Sequence, residues 1–217
     1  MLKTRLIVAG LICAALVPEI ASAQRVRDFE DSWFWGVKGG VTTFAPTFGD
    51  IESSASYGAE WLITRRHGGL YVSLDESRVS TQSAVFDPSF DGEFRPVGVE
   101  KLRRISVAAL AFPKAFGAFR PYAGLGLALN VIGNAYPLAG PEELQVDELV
   151  WDRIDDRSSQ AGILLMGGGQ FQVRRLAFFA QASMVPSNDR FLLNDSALGF
   201  FEAGFRYNFS SAREGLR

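Results

Sequence analysis

Three bases and three acids define the chemistry this chain could carry: Lys38, Arg104 and Arg206 against Glu60, Asp75 and Glu202. Each lies in a stretch where apolar and polar residues alternate, and each falls on the polar parity of its stretch. A period of two is the mark of a β-strand with two unlike faces. Ionic groups gathered on one face of a closed sheet either pair with one another or line a path for a charged solute. Here the signs balance. That favours mutual neutralisation over a ring selective for one sign, because a buried charge left unpaired costs several kcal/mol.

The other reactive side chains do not assemble into a catalytic set. The single histidine, His67, stands in Arg65-Arg66-His67-Gly68, a tight-turn sequence, and reads as a polar turn residue. Ser73, Asp75 and Ser77 share a parity but have no base beside them to activate a hydroxyl. The only cysteine, Cys13, lies near the start of the chain, ahead of any strand, so no disulfide or thiolate metal site is expected. Asp147, Glu148, Asp152, Asp155 and Asp156 make an acidic stretch without the spacing of a calcium loop, which reads as a solvated loop. No catalytic residue, cofactor or metal is expected, and hence no enzyme.

The elements that must position the six charges are strands. The last alternating stretch, residues 196–209, reads SALGFFEAGFRYNF. One parity holds Tyr207, Phe205, Ala203, Phe201 and Gly199; the other holds Asn208, Arg206, Gly204, Glu202 and Phe200. An apolar face ending in aromatics, backed by a face with both an acid and a base, suits a sheet with lipid outside and packed polar groups inside. Seven earlier spans alternate in the same way: 33–43, 56–64, 69–79, 101–112, 119–132, 161–174 and 175–185. They predict an all-β fold, a closed eight-stranded antiparallel up-and-down barrel. Its interior is just wide enough for side chains to fill. The first and last strands would be neighbours, so Lys38 is expected to approach Glu202 on one side and Glu60 on the other.

The connections alternate in length. Residues 65–68, 113–118 and 174–175 are short turns; 45–55, 80–99, 134–160 and 186–195 are long loops. In outer-membrane barrels short turns face the periplasm and long loops face outward. A short helix is expected over 141–149, with Pro141 in its first turn. With that topology Trp33, Trp35, Trp61, Phe171, Phe178, Tyr207 and Phe209 all fall at the periplasmic strand ends, as one interfacial girdle. Tyr57 is the best candidate for the opposite girdle. Arg78 and Arg103 take the outward parity near the external ends, where they could pair with lipopolysaccharide phosphates.

Residues 1–23 read as a secretory signal, with Lys3 and Arg5, an apolar run over 6–17 and the small-residue site Ala21-Ser22-Ala23; residues 24–217 form the barrel. The 217-residue chain has a net charge of −2, which gives no electrostatic case for nucleic acid. No apolar run is long enough for a membrane-spanning helix.

The closing strand with its terminal aromatic, Phe209, resembles the insertion signal of outer-membrane β-barrels, although residues 210–217 follow it here. Arg120-Pro121-Tyr122-Ala123-Gly124-Leu125-Gly126 is similar to a stretch recurrent in the small barrels of the OmpA transmembrane-domain and OmpX type. The resemblance covers nearly all of residues 24–217. It implies export through the periplasm, insertion by the barrel-assembly machinery and residence in a Gram-negative outer membrane as a monomer, among lipid and lipopolysaccharide. The expected role is a structural barrel whose lumen is plugged by charged side chains and whose long external loops serve surface interactions. The alternatives are a narrow channel for ions or small solutes and a periplasmic ligand-binding barrel; the latter would need an apolar inside and a polar outside.

Overall fold

The computed structural model describes residues 29–47, 49–91, 93–140, 146–186, 191–193 and 197–211. The presumed signal, residues 1–23, and Cys13 within it lie outside these. Eight antiparallel strands close into a barrel in sequence order: β1 (Ser32–Phe44), β2 (Glu52–Thr64), β3 (Gly68–Phe86), β4 (Phe94–Ala111), β5 (Phe119–Pro137), β6 (Ser159–Val173), β7 (Leu176–Pro186) and β8 (Ala197–Ser211). β1 and β8 close the seam, with Val37 opposite Phe205 and Lys38 opposite Gly204. Among the described residues a helix, α1 (Glu148–Asp156), sits between β5 and β6.

The alternation in sequence becomes alternation across the wall. Leu127 is 66% exposed on the outside, whereas Arg206 is 0% exposed within. Trp35, Leu125, Ile163 and Phe205 join Leu127 on the outer surface, while Lys38, Glu60, Asp75, Arg104 and Glu202 are buried with Arg206. The inner wall is crowded. A Cβ on Gly126 would meet the Val107 carbonyl oxygen at 2.1 Å, and one on Gly204 would meet the Val37 oxygen at 2.1 Å. Glycine at these inward positions lets neighbouring backbones approach where any side chain would collide.

The structure corrects several expected boundaries. Residues 80–99 were expected to be a loop. Instead β3 runs on to Phe86 and β4 begins at Phe94, leaving a short turn closed by Asp87 N–H donating to Glu93 O at 2.8 Å. β2 starts at Glu52 and β5 continues to Pro137, each taking in part of an expected loop. A helix lies over Glu148–Asp156, overlapping the expected 141–149 only at its end; residues 141–145 of that expectation lie outside the described residues. The Asp147 carboxylate caps it, accepting from Leu149 N–H at 3.2 Å, which is the usual task of an aspartate at that position.

Both ends of the barrel are closed by apolar packing. At the short-turn end Phe29, just before β1, stacks edge-on to Phe112 at 4.9 Å, and Phe112 lies 5.7 Å from Tyr122. Thr64 Oγ1 donates to the Phe29 carbonyl and holds this segment under the barrel. At the other end Val150 and Ile154 of α1 and Phe191, Leu192 and Leu193 are all buried. Leu192 N–H donates to Arg157 O (3.3 Å), and Leu192 O accepts from Ser83 Oγ on the inner face of β3 (2.6 Å), so this segment spans the mouth. Here the two faces become mixed: Val79, Val85, Val97 and Val99 point in beside Thr81 and Ser83, while Ser80 and Gln82 point out with Phe86 and Phe94.

The tip of the β3–β4 hairpin is pinned by a buried ion pair, Arg95 Nε to Asp87 Oδ2 at 2.6 Å. Burial pushes the Asp87 carboxyl up. Hydrogen bonds from Ser89 and Arg95 outweigh that and hold it below the ordinary aspartate range.

Candidate functional site

The candidate site is the middle of the lumen, where the six charges meet. β1 and β8 bring Lys38 to Glu202, with Nζ 3.0 Å from Oε2. β3 adds Asp75, whose Oδ1 lies 2.9 Å from the same ammonium in an ion pair without directed hydrogen-bond geometry. Arg104 on β4 bridges the two acids, with Nη2 2.8 Å from Asp75 Oδ2 and 2.8 Å from Glu202 Oε1. Arg206 on β8 pairs through Nε with Glu60 on β2. Planar guanidinium groups suit such shared contacts because their donors are fixed in a fork.

One expected contact is not made. Lys38 does not pair with Glu60, because Tyr71 stands between them: Lys38 Nζ donates to Tyr71 Oη (2.8 Å), which donates to Glu60 Oε2 (3.1 Å). Glu60 turns to Arg206 instead. Sequence parity placed Tyr71 inside, but nothing in its spacing distinguished a bridging hydroxyl from a core ring. Gln181 is a second unanticipated member. Its Nε2 donates to Tyr71 Oη (3.1 Å) and Glu202 Oε2 (2.9 Å), and its Oε1 accepts from Tyr122 Oη (2.9 Å). Gln170 accepts from Arg206 Nη1 at 2.7 Å.

Aromatic faces complete the layer. The Arg104 guanidinium lies 3.5 Å from the Phe200 ring centroid and that of Arg206 lies 3.9 Å from the Phe179 centroid. Stacking of this kind compensates cations removed from water. The result is a neutral cross-linked layer with buried side chains from all eight strands, Tyr122 being the contribution of β5. His67 sits away from this layer, in the exposed β2–β3 turn. Chemically, the arrangement can tie the barrel walls together and obstruct the lumen.

Outside, Trp33, Trp35, Trp61, Phe178, Tyr207 and Phe209 are exposed, and Phe171 is half-exposed, all toward the short-turn end. Trp35 meets Trp61 at 4.7 Å and Tyr207 meets Phe209 at 5.1 Å, both edge to face. Tyr57, toward the opposite end, donates its hydroxyl to Glu76 Oε1 at 2.7 Å. Arg103 is engaged as well, its Nε 3.0 Å from Glu76 Oε2, and Arg78 is exposed. The five acidic residues 147, 148, 152, 155 and 156 cap and line α1, and of these Asp147 has the structural role of N-cap.

A closed eight-stranded barrel, apolar without and ionic within, is the architecture of the small outer-membrane β-barrels. Several solved barrels of this kind are similar to the chain. Neisserial surface protein A (NspA) aligns over 82% of this chain and 97% of its own, with a TM-score of 0.55 at 14% identity. Ail, the attachment invasion locus protein of Yersinia pestis, aligns over 83% and 100%, with a TM-score of 0.49 at 13% identity. The N-terminal β-barrel domain of Pseudomonas aeruginosa OprF aligns over 83% and 98%, with a TM-score of 0.47 at 13% identity. No protein-family model and no curated protein matches the sequence.

Proposed function

We propose that this chain is a monomeric structural barrel of the bacterial outer membrane, exported through the periplasm, which carries no solute through its lumen and presents a structured platform at its external end. The observation that carries this reading is the neutral ionic layer of Lys38, Glu60, Asp75, Arg104, Glu202 and Arg206, closed above and below by apolar packing. A conducting pore needs a wetted path, and here every charge is already bound to its opposite. A periplasmic barrel that holds a ligand inside would need the reverse polarity, with an apolar interior and a wetted exterior. The outward belt of Trp, Leu, Ile and Phe side chains suits acyl chains instead. The platform is the hairpin of β3 and β4 beyond the belt, together with α1, and surface interaction is assigned to it.

The test is conductance of the purified protein in planar bilayers, after carbonate-resistant membrane fractionation and heat-modifiable gel migration have established insertion. A silent bilayer is the expected result. Reproducible unitary current steps from folded protein would overturn the sealed-lumen reading in favour of a channel.

A further inference from the structure

Where the apolar belt ends on β3 and β4, basic side chains gather on the outside. The outward series on β3 runs Leu70, Val72, Leu74 and then Glu76 and Arg78; on β4 it runs Val107, Ile105 and then Arg103 and Lys101. Register places Glu76 opposite Arg103 and Arg78 opposite Lys101. Like charges directly opposite across a strand pair repel unless an anion lies between them. Of the two acids beside these three bases, Glu76 is already committed: it accepts from Tyr57 Oη through Oε1 and pairs with Arg103 Nε through Oε2. Among the described residues no carboxylate lies in ion-pair reach of Arg78 or Lys101, and Glu100 beside them accepts from Asn134 Nδ2 at 3.0 Å. The lip therefore keeps a surplus of positive charge.

An apolar trough adjoins this lip. Val37, Tyr57, Ala59 and Leu74, with Glu76 and Arg103 at the rim, enclose a groove of about 740 Å³ on the outer wall. It is deep there because Ala59 lies between the larger Val37 and Leu74 in one lateral row. A cationic rim above an apolar trough complements an amphiphile with an anionic head and acyl tails.

We infer that Arg78, Lys101 and Arg103 form a binding site for a phosphorylated glycolipid of the outer leaflet, of the lipid A class. The phosphates lie across the Arg78–Lys101 pair and the outward nitrogens of Arg103, and one acyl chain occupies the Val37–Ala59–Leu74 trough. Guanidinium groups bind phosphate through paired charge-assisted hydrogen bonds. The site rests on the membrane placement proposed above and adds to it a defined lipid at a defined position.

The experiment uses the full mature chain refolded into phosphatidylcholine vesicles doped with lipid A, with parallel vesicles doped with phosphatidylglycerol. Flotation is scored first, and a chain that does not float with vesicles defeats the membrane placement and this site together. For floating protein, native mass spectrometry counts the lipid A retained by wild type, by Arg78→Ala/Lys101→Ala/Arg103→Ala, and by an Arg65→Ala/Arg66→Ala control at the opposite end. The expected result is retention of lipid A lowered at least about tenfold in the triple variant, the joint effect of three rim contacts, and unchanged in the control. Equal retention by wild type and triple variant overturns the site. Equal retention of phosphatidylglycerol and lipid A overturns the glycolipid assignment. Unaltered heat-modifiable migration of the triple variant separates loss of the site from loss of the fold.

Discussion

Arg206 shows what a charge inside a barrel wall requires. It is fully buried, and its partners come from β2, β5, β6 and β7: Glu60, Tyr122, Gln170, and the ring of Phe179 with the amide of Gln181. Removing one partner of a buried pair costs more than removing both, since the survivor stays desolvated. Arg206→Met should therefore destabilise the barrel by about 3–5 kcal/mol, and adding Glu60→Leu should recover most of the loss. Urea unfolding of the vesicle-inserted protein measures both. If the double variant is as unstable as the single one, the pair is not what holds this layer. The sequence showed at this scale that the six charges face inward, because parity in a strand leaves a side chain only two directions. It did not show who pairs with whom. Glu60 and Lys38 stand on adjacent strands, yet the Tyr71 hydroxyl between them redirects Glu60 to Arg206, and reach of that kind depends on three-dimensional position.

Among the elements, the β3–β4 hairpin was the least legible. Residues 80–99 carry Asp87-Pro88 and Asp91-Gly92, which read as loop chemistry, and the polarity rule that identified the other strands fails there. Inside the belt the apolar face points outward. Beyond it, Val79, Val85, Val97 and Val99 turn inward with Thr81 and Ser83, and Ser80 and Gln82 share the outside with Phe86 and Phe94, so neither face keeps one polarity. The closures at the two ends were missed for a related reason: Phe29 and Phe191–Leu193 belong to segments with no period to read. The hairpin tip makes a prediction about acid. The Asp87 carboxyl is held below its ordinary value of 3.8 in the folded protein by Ser89 and Arg95. Its contribution is complete above that value and is lost as pH falls through the lower, folded one. Amide exchange across residues 87–95, corrected for the intrinsic rate, should stay flat from neutrality to about pH 4 and accelerate only below it. Asp87→Asn should exchange faster at neutral pH and show no acid step. An acceleration already present near about pH 6 would assign the tip's stability to some other group.

For the whole molecule, the four tryptophans report orientation. Trp33, Trp35 and Trp61 belong to the aromatic belt at the short-turn end, whereas Trp151 projects from α1 at the opposite end. In vesicles of bromine-labelled lipid, fluorescence from the first three should be quenched, while Trp151, kept alone by replacing the others with Phe, should be quenched by aqueous acrylamide and not by the lipid. The reverse pattern would place the belt in water. The outline of the barrel was legible because the alternation that identifies each strand also sets its inside and outside, so eight local readings agree on one closed shape. The seam between β1 and β8 carries a consequence for biogenesis. Lys38 and Arg104 share Asp75 on β3 but receive Glu202 only from β8, and Glu60 receives Arg206 only from β8. A sheet open at that seam would leave Glu60 without its guanidinium and Lys38 and Arg104 with one carboxylate between them. Closing the seam is what completes the cross-linking of the ionic layer, and a sheet still open there stays without it.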